Sequence, residues 1–346
     1  MADKVRYYLE QSVPELEDLK TKGLFDKNEI TIIMRRRTDF EHRITGRGSK
    51  PRDFLKYSEF EQNLEKLRKK RYNRLKDFIN TKSSISDYAG VRRIMFILDR
   101  GTKKFPGDLQ LWNQYLEFAK RNGAIKAIYK IYSRLLQLQP RNIDAWLSAA
   151  KYEFEENGNA KGTRLLFQRG LRLNPESEKL WLNYVQFELT YISKLLARKE
   201  LGKILQVEHE MELPNAPEIE ELPDIEEKSP ALRGDIVIAI FEACVAKLGL
   251  GVVENFLNVI DQFDMDKNYL YSQILQYLQT NYPNDIRTKY IDTTLPLRYN
   301  DIQLAVNKCL AYNDKELTNM FINRLRQIKG NAKIESIIQS IIRKLN

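Results

Sequence analysis

Between Phe54 and Phe187, apolar residues recur at steps of three and four, the spacing that keeps side chains on one face of a helix. The clearest stripes are aromatic: Trp112, Tyr115 and Phe118; then Trp146, Ala149 and Tyr152; then Trp181, Tyr184 and Phe187. Six residues before each Trp stands Pro106, Pro140 or Pro175, so the pattern repeats at intervals of 34 and then 35 residues. Asn122-Gly123 and Asn157-Gly158 follow the first two stripes, and such dipeptides readily take the positive φ of a reversal. A second apolar-periodic stretch ends at Arg100, Arg134 or Arg169, each six residues before its Pro. Pro lacks an amide hydrogen and clashes with the preceding turn, so it stops this second helix. A helix–turn–helix unit of this length cannot bury its apolar face alone and must stack on its neighbours. The pattern predicts an all-α protein, an α-solenoid of antiparallel helix pairs.

The aromatic stripes read as core. A buried Trp or Tyr removes ~150–250 Å² from water, worth about 4–6 kcal/mol at ~25 cal/mol per Å². Tetratricopeptide repeats and their relatives, the half-a-tetratricopeptide or HAT repeats, share this period. An aromatic three residues after the Trp in two copies, with Glu153 and Glu188 seven after it, resembles the HAT form. The first Trp copy departs from it with Glu117 and Ala119, and the second with Ala149. An earlier copy is visible in Phe54, Tyr57, Phe60 and Glu61, with Phe in the Trp position. The interval from Phe54 to Trp112 is 58 residues, which predicts an insertion with a loop over 81–87. The recurring Glu and Arg are expected to pair between helices, not to act as acid and base.

Before the repeats, a short helix around Tyr7, Tyr8 and Leu9 is expected to break near Pro14, with a second apolar edge at Leu16 and Leu19. A longer helix starts at Asp26, with Glu29 placed for a capping box, and ends at Gly46 and Gly48. After the repeats, Gln206 to Pro230 holds Pro214, Pro217, Pro223 and Pro230 among nine acids and one Lys, a composition that predicts an extended linker. Helical spacing then returns with Ile236, Ile240, Cys244 and Leu248. It ends in a stripe from Ile334 to Leu345 that reads as a capping helix, or alternatively as a homodimer face. The expected divisions are 1–52, an amino-terminal helical region; 53–205, HAT repeats; 206–230, the acidic linker; and 231–346, divergent helical repeats.

Charge adds a second theme. Residues 1–105 hold 26 Lys or Arg against 16 Asp or Glu, a surplus equal to the net +10 of the whole chain. Seven bases crowd into 66–76 without an acid: Lys66, Arg68, Lys69, Lys70, Arg71, Arg74 and Lys76. Lys66, Lys70 and Arg74 align on one helical stripe, suited to a phosphate backbone, an acidic protein or an import receptor, with a solvated face as the plain alternative. Arg35, Arg36 and Arg37 fan over about 200° of a helix, so one or two at most can grip phosphate. The others are expected to be solvated or paired within the chain. The candidate contacts for RNA or an acidic partner are therefore Lys66, Lys69, Lys70, Arg71, Arg74, Arg35, Arg36 and Arg37.

Other chemistry is scarce. Two His and two Cys, Cys244 and Cys309, offer neither a metal set nor a nucleophile with its base, so no cofactor, metal or enzymatic activity is expected. Both Cys lie on apolar faces, as buried thiols of a reducing compartment do. No run approaches the roughly 18 apolar residues of a membrane span.

The segments Arg6 to Gln11, Gly23 to Phe25, Ile33 to Arg43 and Phe105 to Leu109 resemble the U3 small nucleolar RNA-associated protein 6 family, over about residues 4–205. That resemblance implies a HAT-repeat scaffold of the nucleolar small-subunit processome, which processes precursor ribosomal RNA. The implied partners are WD-repeat proteins of the same subcomplex, U3 snoRNA and precursor rRNA; the implied location is the nucleus and nucleolus. The competing expectations are a HAT scaffold of pre-mRNA splicing or 3′-end processing and a tetratricopeptide co-chaperone.

Overall fold

The structure, a computed structural model, describes residues 2–75, 84–212, 230–299 and 301–327. Among these the regular structure is helical throughout, and the fold class is an α-solenoid of helix pairs. The chain forms two compact units, Met1–Ala145 and Trp146–Asn346. The division falls inside the stretch expected to be one block of repeats.

The first unit contains α1 (Ala2–Glu10), α2 (Val13–Thr21), α3 (Lys27–Thr45), α4 (Pro51–Leu75), α5 (Ser86–Lys104), α6 (Leu109–Arg121) and α7 (Ile125–Leu138). The break between α1 and α2 falls at Gln11 and Ser12, and Pro14 lies inside the first turn of α2, where its missing amide hydrogen costs nothing. Asp26 starts α3 with the expected capping box: its backbone N–H donates to Glu29 Oε2 at 3.0 Å. The insertion lengthens α4 to 25 residues. Of the expected 81–87 loop, 81–83 lie outside the described residues, and Ser86 and Asp87 already belong to α5.

α8 (Ile143–Glu155) spans the division. The second unit continues with α9 (Ala160–Leu173), α10 (Glu178–Glu212), α11 (Pro230–Arg233), α12 (Asp235–Leu248), α13 (Val253–Asp261), α14 (Asn268–Asn281), α15 (Ile286–Thr294), α16 (Ile302–Tyr312) and α17 (Lys315–Gln327). α10 corrects one boundary. It runs through Gln206 to Glu212, because acids alone do not stop a helix and the first Pro comes only at Pro214. The rest of the expected linker, 213–229, and the expected terminal helix from Ile334 to Leu345 lie outside the described residues. The second unit packs around Phe241, Phe256, Ile274 and Phe321, all fully buried, with the Phe241 and Phe256 rings edge to face at 5.0 Å.

The repeat signature has a local physical cause. α5, α7 and α9 each end two residues before their Pro, and Gly123 and Gly158 turn the chain with φ of 61° and 64°. The indole N–H of Trp112 donates to the Pro106 carbonyl at 2.9 Å, and that of Trp181 to the Pro175 carbonyl at 3.0 Å. The six-residue interval is therefore a capping device: the Trp that fills the core also satisfies the carbonyl left over where the previous helix stopped.

A second device recurs eleven residues before two of the Trp positions. A Cβ on Gly101 would stand 3.2 Å from the Phe54 ring, and one on Gly170 would stand 3.2 Å from Trp146 and 3.1 Å from Leu180. Gly lets the second helix of a pair approach the large aromatic of the first, and Phe54 occupies the same place in its pair as Trp146 does. Gly170→Leu is expected to overpack this contact and cost about 1–3 kcal/mol; a urea unfolding midpoint equal to that of the parent chain would contradict the close approach.

Candidate functional site

The aromatics of the repeat signature are core. Trp112, Tyr115, Phe118, Trp146, Tyr152, Trp181, Tyr184 and Phe187 are all buried. The three signature Arg residues do not share one role. Arg100 donates to both oxygens of Glu41 at 2.7 and 2.9 Å, Arg134 approaches Asp99 at 3.9 Å, and Arg169 is exposed on α9.

The structure shows a different recurring pair. Arg37 donates to both oxygens of Glu61 at 2.8 and 2.9 Å, and Arg164 to both oxygens of Glu188 at 2.7 and 2.8 Å. Both pairs are 24 residues apart, and both Glu sit seven after the aromatic that opens their helix. The spacing is present in the sequence, but it becomes visible only when the Arg is counted from the Glu and not from the Pro. The third such Glu, Glu153, accepts from Asn157 at 3.0 Å and Asn159 at 2.6 Å.

In the first unit the pair grows into a cluster. Arg37 is fully buried and also lies 3.5 Å from Glu15, which is held in turn by Arg93. Burial opposes the charge on Arg37, but Glu61 and Glu15 outweigh it and hold its pKa above the ordinary value. Burial, with Glu61 beside it, likewise keeps Tyr57 protonated. Arg37 is thus no contact for RNA: a guanidinium with no exposed surface, bound to two carboxylates, cannot reach a phosphate. Arg37→Met is expected to cost about 3–5 kcal/mol, because Glu61 is left buried and unpaired, whereas Arg37→Met with Glu61→Leu should recover most of the loss. Urea denaturation of both variants checks this, and equal losses would contradict it.

The basic run on α4 divides by exposure. Arg68 turns inward, donating to both oxygens of Glu65 at 2.8 Å and to Asp87 at 3.2 Å. Arg71, expected to contact a partner, is satisfied within the chain: it binds both oxygens of Glu29 at 2.7 and 2.8 Å and the Leu24 carbonyl at 2.8 Å. Its guanidinium also lies 4.6 Å above the Phe25 ring. Lys66, Lys69, Lys70 and Arg74 are exposed, with Lys69 3.8 Å from Glu65, and Arg35 and Arg36 are exposed on α3. Lys76 lies outside the described residues. Leu64, Tyr72 and Leu75 pack against Leu16, Leu19 and Ile33, while Leu67 is exposed.

The Arg71 hydrogen bonds, and then the Asp26 amide, hold the Glu29 carboxyl at about 2, against an ordinary 4.5. A depressed carboxyl stabilises the fold fully above its unfolded pKa and loses that contribution as pH falls through its folded pKa. Stability of the parent chain is therefore expected to fall more steeply between pH 4.5 and about 2 than that of Glu29→Gln; parallel pH profiles would contradict the pairing.

Beside the buried cluster lies an open cleft of ≈ 470 Å³. Tyr8 and Ser12 line one side, and Tyr88, Arg92 and Phe96 of α5 the other. Glu15, Glu41 and Tyr57 also line it. Arg100 lies 4.6 Å over both the Tyr8 and Phe96 rings. Sequence reading missed this cleft, although residues 85, 88, 92, 96 and 100 fall at one-stripe spacing on α5.

Burial pushes the Cys244 thiol up to about 12, with Glu178 adding to the effect, so it stays protonated and unreactive. Burial raises Cys309 as well. Among the described residues no three His, Cys, Asp or Glu side chains gather as a metal set, and no helix is long and apolar enough to cross a membrane.

Helix pairs closed by a Pro, an indole-capped carbonyl and a Glu seven residues on define a HAT-repeat protein. The comparisons agree: the family described as PRP39 N-terminal HAT repeat matches residues 76–210, and that of U3 small nucleolar RNA-associated protein 6 matches residues 9–93. The chain is 45% identical over 201 residues to U3 small nucleolar RNA-associated protein 6 of Schizosaccharomyces pombe, covering 58% of this chain and 41% of that protein. It is 30% identical over 286 residues to the homolog of Mus musculus, covering 82% and 45%, and 27% identical over 395 aligned positions to that of Dictyostelium discoideum, covering 99% and 63%. The chain is thus similar to the U3 small nucleolar RNA-associated protein 6 family, whose model matches its amino-terminal part. It spans less than two thirds of the length of these relatives.

Proposed function

We propose that this chain is a non-enzymatic scaffold of the nucleolar small-subunit processome. In this reading it holds WD-repeat proteins of one subcomplex in position around U3 snoRNA and precursor rRNA, and so supports formation of small-subunit RNA. The observation that carries the proposal is the family match over residues 9–93 together with relatives named for U3 small nucleolar RNA. The geometry supports it in two ways. The Arg37–Glu61 and Arg164–Glu188 forks tie successive helices together, as a scaffold requires. The exposed Lys66, Lys70 and Arg74 stripe supplies positive charge at four-residue spacing, the part of the chain best suited to a phosphate backbone.

Tagged protein purified from nuclear extract, with and without ribonuclease, tests the reading. WD-repeat proteins are expected in both halves and U3 RNA only in the untreated half; splicing factors or chaperones without U3 RNA would overturn it. Lys66→Glu with Lys70→Glu is expected to weaken binding to a precursor rRNA fragment. The log–log salt slope should fall by roughly 0.7–0.9 for each phosphate the protein ceases to neutralise, with protein partners retained. An unchanged slope would remove this stripe from the RNA interface.

A further inference from the structure

The α5 stripe that walls the cleft is exposed although much of it is apolar. Ile85, Tyr88 and Phe96 stand 48%, 49% and 39% exposed, three large side chains on one face, with Tyr8 of α1 and Arg100 lying against part of the Phe96 ring. Between them projects Arg92, whose guanidinium lies 5.8 Å from the Tyr88 ring. Among the described residues no carboxylate lies within ion-pair distance of it. The other charges of the cleft are neutralised locally. Glu15 is held by Arg93 and Arg37, and Glu41 by Arg100.

We infer that this cleft in the first unit binds an extended acidic peptide of a partner protein, with one Asp or Glu on Arg92 and apolar or aromatic residues on either side. From Ile85 to Arg100 the wall runs about 22 Å at ~1.5 Å per residue, the reach of roughly six or seven extended residues at ~3.3 Å each. Alternate side chains of such a peptide meet the wall about 6–7 Å apart, close to the separation of Tyr88, Arg92 and Phe96 along the helix. A carboxylate on Arg92 completes the charge balance of the cleft, and flanking apolar groups cover Tyr88 and Phe96. Charge argues against a single RNA strand here. Six or seven nucleotides would bring as many phosphates to one unpaired Arg, beside the carboxylates of Glu15 and Glu41.

The inference rests on the scaffold reading, and the experiment separates the two. A random dodecapeptide phage library is selected against the full chain, and an enriched peptide is measured by fluorescence polarisation. Enriched peptides are expected to carry an Asp or Glu flanked by aromatic or aliphatic residues. Arg92→Glu should weaken binding about tenfold or more, Asp→Lys in the peptide should restore it, and Arg169→Glu on α9 should leave it unchanged. Arg92 is exposed, so circular dichroism should show its variant folded as the parent chain is. Absence of enrichment, or equal binding to the parent chain and Arg92→Glu, overturns the inference. So does a fluorescent oligouridylate that competes for the cleft and no longer binds Arg92→Glu. If the tagged protein still recovers WD-repeat partners and U3 RNA while no peptide binds, only this inference fails.

Discussion

A carboxylate buried seven residues after the repeat aromatic must be paired, and at Glu61 and Glu188 the structure answers that demand with an Arg from the helix before. Arg37 on Glu61 and Arg164 on Glu188 are the same bidentate fork at the same 24-residue separation. Such a pair gives little net stability over an apolar alternative, but breaking one half is costly. Its effect is therefore on register. Only one rotation of each helix brings the fork to the carboxylate, which then sets where the aromatic stripe must pack.

The same demand shapes the amino-terminal cluster. Satisfying Glu15, Glu41 and Glu61 draws Arg37, Arg93 and Arg100 inward. Three of the bases read along 1–105 are thus paired inside the protein, each against an acid, so fewer bases face solvent while the net surplus is unchanged. Among the bases that stay exposed are Lys66, Lys70 and Arg74 along α4, Arg35 and Arg36 on α3, and Arg92 above the cleft. Counting bases in sequence overstated how many are available to a polyanion because Arg, with its planar fork, is the base most readily buried against carboxylates.

Backbone capping works alongside side-chain pairing. Just beyond the ends of α5 and α9, the Pro carbonyl accepts from the indole of the next Trp, and at Pro106 from Gln139 as well. Gly101 and Gly170 then let the helices of a pair close on Phe54 and Trp146. Core, cap and close approach thus rest on a few positions per repeat, which is why the motif is legible at intervals of 34 and 35 residues while the rest of each copy drifts.

The sequence by itself determined the helical class, the helix-pair period, the turns at Gly123 and Gly158 and the stop before each Pro. These follow from local rules: period 3.6, the freedom of Gly and the missing amide of Pro. Tertiary structure decided which charged residues remain for partners. Arg37 and Arg71 look like Arg36 and Arg74 in the sequence, yet the first pair is bound inside the chain and the second is exposed. It also decided that α5 turns Tyr88, Arg92 and Phe96 toward an open cleft. A stripe of apolar spacing says that one face of a helix will be covered; only packing says which face is left over, because that depends on residues far apart in the chain.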